Sequence, residues 1–263
     1  STEKARGYVE RLLARGQQGG ASVRRGRLLG LAAHGVVEYK DLFRDDRLHA
    51  ALRDVIATRF AQEGASWPLA DRLLALEGLG RLGDPRLTED HDLWVEVPAG
   101  VLVTGDRAAF QALRPGRVAV SAFAMAWRPV TVADYRPFVE GGASRDPAVW
   151  GDTPEDARQT KPEDWEAQCF HPNRPVVGVS WFEAKAWCRW ASARWGKTVD
   201  LPTEVEWEHA ARGPKGDVFP WGQADPGTGE GARANFDGIV GCPSPVGAFP
   251  SGNRGRLVDL AGN

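Results

Sequence analysis

The stretch from Pro175 to Gly222 constrains the fold more than any other part of the chain. It holds two helix starts built on one chemical plan, six tryptophans, and a Phe-Pro-Trp-Gly exit. In Ser180-Trp-Phe-Glu183 the serine hydroxyl can accept the Glu183 N–H while the glutamate reaches back to the Ser180 N–H, a reciprocal capping box. Thr203-Glu-Val-Glu206 repeats that plan behind Pro202. Gly196 and Gly213-Pro214 are the matching stops. Between them, Ala184, Trp187, Cys188 and Ala191 share one helix face, flanked by Trp181 and Trp190, and the tryptophans read as core. Val205, Trp207, Ala210 and Ala211 follow in the second helix. Thr131-Val-Ala-Asp134 is a third start, weakened by Pro137 beyond its first turn. Ser180, Glu183, Thr203 and Glu206 are therefore structural caps. The acids Glu204, Glu206 and Glu208 suit the positive end of a helix and need no catalytic explanation.

The chain changes character near Leu87 to Trp94. Before that point apolar residues recur at three- and four-residue steps: Tyr8, Val9, Leu12 and Leu13; Leu28, Leu29, Leu31 and Ala32; Leu48, Leu52, Val55, Ile56 and Phe60; Leu69, Leu73, Leu74, Leu76, Leu79 and Leu82. Each set predicts one face of a helix. Gly19-Gly20, Gly35 and Gly64 read as stops. Beyond it, Trp94–Val97, Val101–Val103 and Val118–Phe123 predict strands, with turns at Pro98-Ala99-Gly100 and Thr104-Gly105-Asp106. Ten of the eleven tryptophans lie at or after Trp94, so the second part has its own core chemistry. The long connections 141–175 and 213–255 carry Trp150, Trp165, Phe170, Trp221 and Phe236, which predicts packed loops.

A net charge of −2 and a pI near 6.2 give no general attraction to nucleic acid or to an anionic membrane. No run approaches the ~20 apolar residues of a membrane span. Cys169, Cys188 and Cys242 are too few for a disulfide scaffold; the odd count points to free thiols in a reducing, cytoplasmic setting, with one bridge and one free thiol as the alternative. The first residue is Ser, which leaves room for a removed leader. Arg in excess of Lys and a single Met fit a thermophile trend. Arg24, Arg25 and Arg27 read as an exposed helix face.

Residues from Trp94 onward resemble the formylglycine-generating enzyme / sulfatase-modifying factor superfamily. The likeness rests on W-V-E-V-P-A-G-V-L-V-T-G-D, W-R-P-V-T-V-A-D-Y-R-P-F-V, P-V-V-G-V-S-W-F-E-A, L-P-T-E-V-E-W-E-H-A-A-R-G, F-P-W-G, P-V-G-A-F-P-S-G-N and D-L-A-G-N, in family order. It implies an α+β chain: a C-type lectin-like domain over residues 91–263, preceded by a small all-α bundle over residues 1–90. R-L-L-A-L-E-G-L-G-R-L-G-D-P-R resembles the end of a HEAT-type repeat. The resemblance also implies a tryptophan-rich segment and closing strands after D-L-A-G-N, so the domain is expected to continue past Asn263.

The superfamily includes copper- and oxygen-dependent oxidases, ergothioneine-type synthases and non-catalytic variable proteins of diversity-generating retroelements. Its copper-binding cysteines match none of the three present here. The synthases' H-x-x-x-H-x-E iron motif is not formed by His34, His49, His91, His171 or His209. Calcium is the cofactor the resemblance leaves open, on Asn235, Asp237 and Asn263, although turn chemistry accounts for the same residues. With no catalytic residue assigned, the expectation is a non-catalytic protein that displays a binding surface to a protein or small-molecule ligand. The alternatives are a copper- and oxygen-dependent oxidase with its cysteines beyond residue 263, or an effector module whose helical part docks to a protein.

Overall fold

The computed structural model describes residues 2–18, 24–39, 46–87, 93–104 and 116–263. Gly19-Gly20, His91 and the Gly105-Asp106 turn lie outside those residues. The four apolar stripes fall on α1 (Thr2–Gln17), α2 (Arg25–Glu38), α3 (Asp46–Glu63) and α4 (Leu69–Arg81). Leu29, Leu52, Ile56, Leu76 and Leu79 are wholly buried where these helices meet. Tyr8 and Leu31, at the stripe edges, face solvent. Gly64 does close α3, but Gly35 lies inside α2. Gly30 explains how closely α2 and α4 cross: a Cβ there would come within 2.9 Å of the Ala75 backbone nitrogen. Arg25 is not on an exposed face. It is buried, paired with Glu63, and donates to the Gln18 carbonyl at 2.7 Å. Among the described residues no helix is long and apolar enough to cross a membrane.

Four short strands follow: β1 (Trp94–Val97), β2 (Gly100–Thr104), β3 (Gly116–Val120) and β4 (Phe123–Ala126). β1 pairs with β4 and β2 with β3, both antiparallel, with Val97 opposite Phe123 and Gly100 opposite Val120. The run 118–123 is thus not one strand. Pro98-Ala99 on one side faces Ser121-Ala122 on the other, and a proline without an N–H interrupts the ladder there. The chain makes one long hairpin with a break, giving two separate ribbons.

The rest is helices and ordered coil: α5 (Val132–Glu140), α6 (Pro147–Trp150), α7 (Trp165–Gln168), α8 (Trp181–Trp195) and α9 (Glu204–Arg212). All three capping boxes form, at Thr131, Ser180 and Thr203. Pro137 sits inside α5 without ending it. Tyr135, Phe138, Trp150, Trp165, Trp187 and Ala191 make the core of this half. In the long connections Trp150 and Trp165 are buried, as their size predicts, but Phe170 and Phe236 are exposed. Trp181 and Trp207 also face solvent, and Lys185 sits over the Trp181 ring.

The bundle and the second half share a core. Ala232, Ala248 and Phe249 pack into the same cluster as the helices. Polar contacts run along α4. Glu230 accepts the Leu69 N–H at 2.6 Å, and Glu77 takes Arg174 Nε at 2.5 Å and meets His171 Nδ1 at 2.7 Å. Buried Asn173 donates to the Leu76 carbonyl at 2.8 Å. Truncating Phe249 to Ala is expected to destabilise the whole chain by about 3–5 kcal/mol. Urea unfolding followed by helix signal and by tryptophan emission should shift together; a shift in only one signal would show that the two halves unfold independently.

Candidate functional site

A cavity of about 520 Å³ opens between the β1·β4 ribbon and α8. Phe123, Ala124, Met125 and Ala126 form one wall, and Trp187, Cys188 and Trp195 another. Tyr135 of α5, Val176, the start of α9 and Val258–Leu260 complete it. The sequence dictates this arrangement locally. The Ser180 cap sets the start of α8 so that Trp187 and Cys188 turn inward. The Thr203 cap does the same for α9, whose Glu206 and Trp207 reach the rim.

The wall is mostly apolar, and each acid in it is engaged. Asp134 accepts from Arg128 Nη2 at 3.0 Å and from the Thr131 N–H and hydroxyl at 2.7 Å each. Asp200 pairs with Lys185, which holds its carboxyl below the usual range. Glu206 accepts from the Thr203 N–H and hydroxyl, both at 2.8 Å. Burial, reinforced by Glu183 and Cys188, raises the Tyr135 phenol well above its ordinary value. Burial, with the charge of Asp200, pushes the Cys188 thiol up to about 11. It is therefore a protonated core thiol and not an activated nucleophile. Asp259 is the unusual member. It stands at φ 56°, a left-handed conformation rare outside glycine. The residue is only partly covered, yet its carboxyl group is enclosed. That burial pushes the group up to about 6, against the Gly247 N–H and Asn263, which favour the ionised form.

The structure places the predicted site residues unevenly. Ser180, Glu183, Thr203 and Glu206 are caps, as read. Asn235 and Asn263 come together, with Nδ2 of the first 3.3 Å from Oδ1 of the second. Asp237 stands apart in an exposed left-handed turn. The Asn263 oxygen already accepts from the Ser244 N–H at 2.6 Å and the Ser244 hydroxyl at 2.9 Å, so in this arrangement it faces donors and not a cation. Of the four described histidines, His34 lies in the bundle with burial lowering its basicity, His49 lies on α3, His171 meets Glu77, and His209 contacts the Pro98 carbonyl at 3.0 Å. Among the described residues, no three His, Cys, Asp or Glu side chains gather in a metal-holding group. The Arg128–Asp134 pair and Asp259 were not singled out from sequence. Asp134 was legible as a cap, whereas Asp259 carried no signal beyond its place in D-L-A-G-N.

Folding lifts the Asp259 carboxyl from the ordinary range to about 6, so between roughly pH 4 and 6 the folded chain holds a proton that the unfolded chain has released. Stability should therefore fall as pH rises through that window and level off above it. Asp259→Asn is expected to flatten the fall, read as urea midpoints from pH 4 to 7. An unchanged slope in the variant would assign the window to other groups.

The Sulfatase-modifying factor enzyme 1-like domain matches residues 83–263. Hercynine oxygenase of Mycolicibacterium thermoresistibile is 36% identical over 173 residues, covering 58% of this chain and 36% of the relative. The formylglycine-generating enzyme of Bos taurus is 36% identical over 129 residues, covering 44% and 32%. The inactive C-alpha-formylglycine-generating enzyme 2 of Bos taurus is 45% identical over 101 residues, covering 34% and 30%. The chain spans about a third of the length of these curated relatives. The similarity to hercynine oxygenase overturns the expectation of a non-catalytic binding protein and favours the oxygen-using alternative.

Proposed function

Because the chain belongs to the sulfatase-modifying factor enzyme 1-like family, we propose that it is part of an oxygen-using enzyme built on a C-type lectin-like scaffold, with hercynine or a related small molecule as substrate. The observation that carries this reading is the 36% identity to hercynine oxygenase over 173 residues. What the described residues contribute to this reading is the family scaffold. Their histidines are dispersed and their cavity-wall thiol is held protonated, so no reaction step is routed through them. A second reading, oxidation of a peptide cysteine, rests on the similarity to the formylglycine-generating enzyme.

Two expectations carry over as separate proposals. Calcium at Asn235, Asp237 and Asn263 requires the Asn263 side chain to exchange its present donors for the ion. A protein partner of residues 1–90 would meet α1 to α3, since α4 is covered by the second half.

Oxygen uptake by the purified full-length polypeptide tests the main reading, with Fe(II) and hercynine in one arm and Cu(I) and a cysteine peptide in the other. Hercynine-dependent uptake is the expected result. Uptake with the cysteine peptide alone would replace it by the second reading, and no uptake in either arm would overturn both.

A further inference from the structure

Positive charge gathers at one end of the helical bundle. Gly16 of α1 lies against Leu29 of α2, and Gly35 lies against Val9, so the two helices run antiparallel. The end of α1 therefore sits beside the start of α2. Arg11 and Arg15 of α1 and Arg24 and Arg27 of α2 are exposed toward that end. Arg59 of α3 reaches it too, donating to the Gln17 carbonyl at 2.7 Å. Glu63 at the end of α3 is taken by buried Arg25. Asp71 of α4 lies near Gly26, which still leaves positive charge in excess. Elsewhere in the bundle opposite charges pair, as Arg6 does with Glu10 and Arg81 with Glu38. Among the described residues none of Arg11, Arg15, Arg24, Arg27 and Arg59 is in an ion pair.

The opposite charge gathers in the second half. Residues 152–166 carry six carboxylates against Arg158 and Lys161. Asp152, Glu155, Asp156, Glu163 and Asp164 are exposed. Lys161 is taken by Glu166, and Arg158 donates to the Thr153 carbonyl at 2.9 Å. Hydration alone explains either region by itself. Together they are complementary, and among the described residues no ion pair joins them within one chain. Arginine forks are weakly hydrated and take a carboxylate in two parallel hydrogen bonds. A polyanion would match the arginines and leave the acidic segment unmatched, whereas a second copy matches both. We propose that the arginine end of the bundle docks against residues 152–166 of a second copy of this chain. Contacts between exposed charges are weak and screened, so the association is sensitive to salt. This inference narrows the partner of residues 1–90 to a second copy, and it does not rest on the oxygenase reading.

Analytical ultracentrifugation of the full-length polypeptide tests it at about 20 mM and about 300 mM salt, between which the screening length drops from roughly 20 Å to roughly 6 Å. At low salt sedimentation should quicken as protein concentration rises. At high salt the association constant should fall at least about tenfold. A variant with Arg15→Glu and Arg27→Glu should sediment as a monomer, and so should one with Glu155→Lys and Asp156→Lys. Mixing the two should restore association, since each keeps the face that the other's unaltered face fits. A parent chain that stays monomeric at low salt, association that high salt leaves unchanged, variants that associate like the parent, or a mixture that stays monomeric would each overturn the proposal. Heparin binding by a monomeric parent chain would assign the arginine end to a separate polyanion and likewise overturn it. Oxygen uptake is read separately, so the proposed reaction stands or falls apart from these outcomes.

Discussion

The buried carboxamide of Asn173 is the contact on which the arrangement of the two halves depends. Its Nδ2 donates to the Leu76 carbonyl within α4 at 2.8 Å and to Asp84 at 3.2 Å, and the backbone carbonyl of the same residue accepts the Val246 N–H at 2.9 Å. Gly80 leaves the room it needs, since a Cβ there would overlap the amide. A side chain with no exposed surface and two such acceptors cannot shift without leaving its buried N–H groups unpaired, which costs about 1–3 kcal/mol per group. The bundle is thereby fixed to a segment and not merely to a surface.

That segment leads to the cavity. Two residues on, Pro175 bridges to Thr131, whose capping box starts α5 and holds Asp134. Asp134 anchors buried Arg128, and the neighbouring Trp127 carbonyl accepts the Val258 N–H at 2.9 Å. A continuous run of hydrogen bonds thus joins α4 to both walls of the hollow beside β4. Within it Asp134 is paired with a guanidinium, Asp200 with an ammonium, Glu206 is held by its cap, and Asp259 accepts the Gly247 N–H. Most of the hollow's polar groups are thus committed to holding the frame.

What was legible in the sequence was local. Capping boxes and apolar stripes concern residues within four positions of one another, so all three caps and all four bundle helices could be read directly. The ribbon break was not, because Pro98 disturbs a pairing with Ser121-Ala122 that only the fold creates. Arg25 was misread for the same reason: its partner Glu63 lies on a different helix. Trp181 and Trp207 show the limit of composition. An aromatic ring on a helix predicts burial only if a neighbour covers that face, and here none among the described residues does so fully.

The separation of frame from chemistry explains why function was harder to read than fold. The motifs that carry the family likeness are here largely caps and turns, with aromatics such as Tyr135 and Phe138 in the core, and a fold does not fix a reaction. The same scaffold is shared by relatives named as an oxygenase and as an inactive enzyme, at comparable identity to this chain. Residues such as Ser180, Thr203 and Asn173 are answerable to packing and hydrogen-bond satisfaction, and those demands are the same whether or not a reaction takes place. A reactive centre is constrained instead by the substrate it must meet, so its residues can be exchanged on an unchanged frame. A strong family signal from this chain therefore carries information about the caps, and very little about the bond that is made or broken.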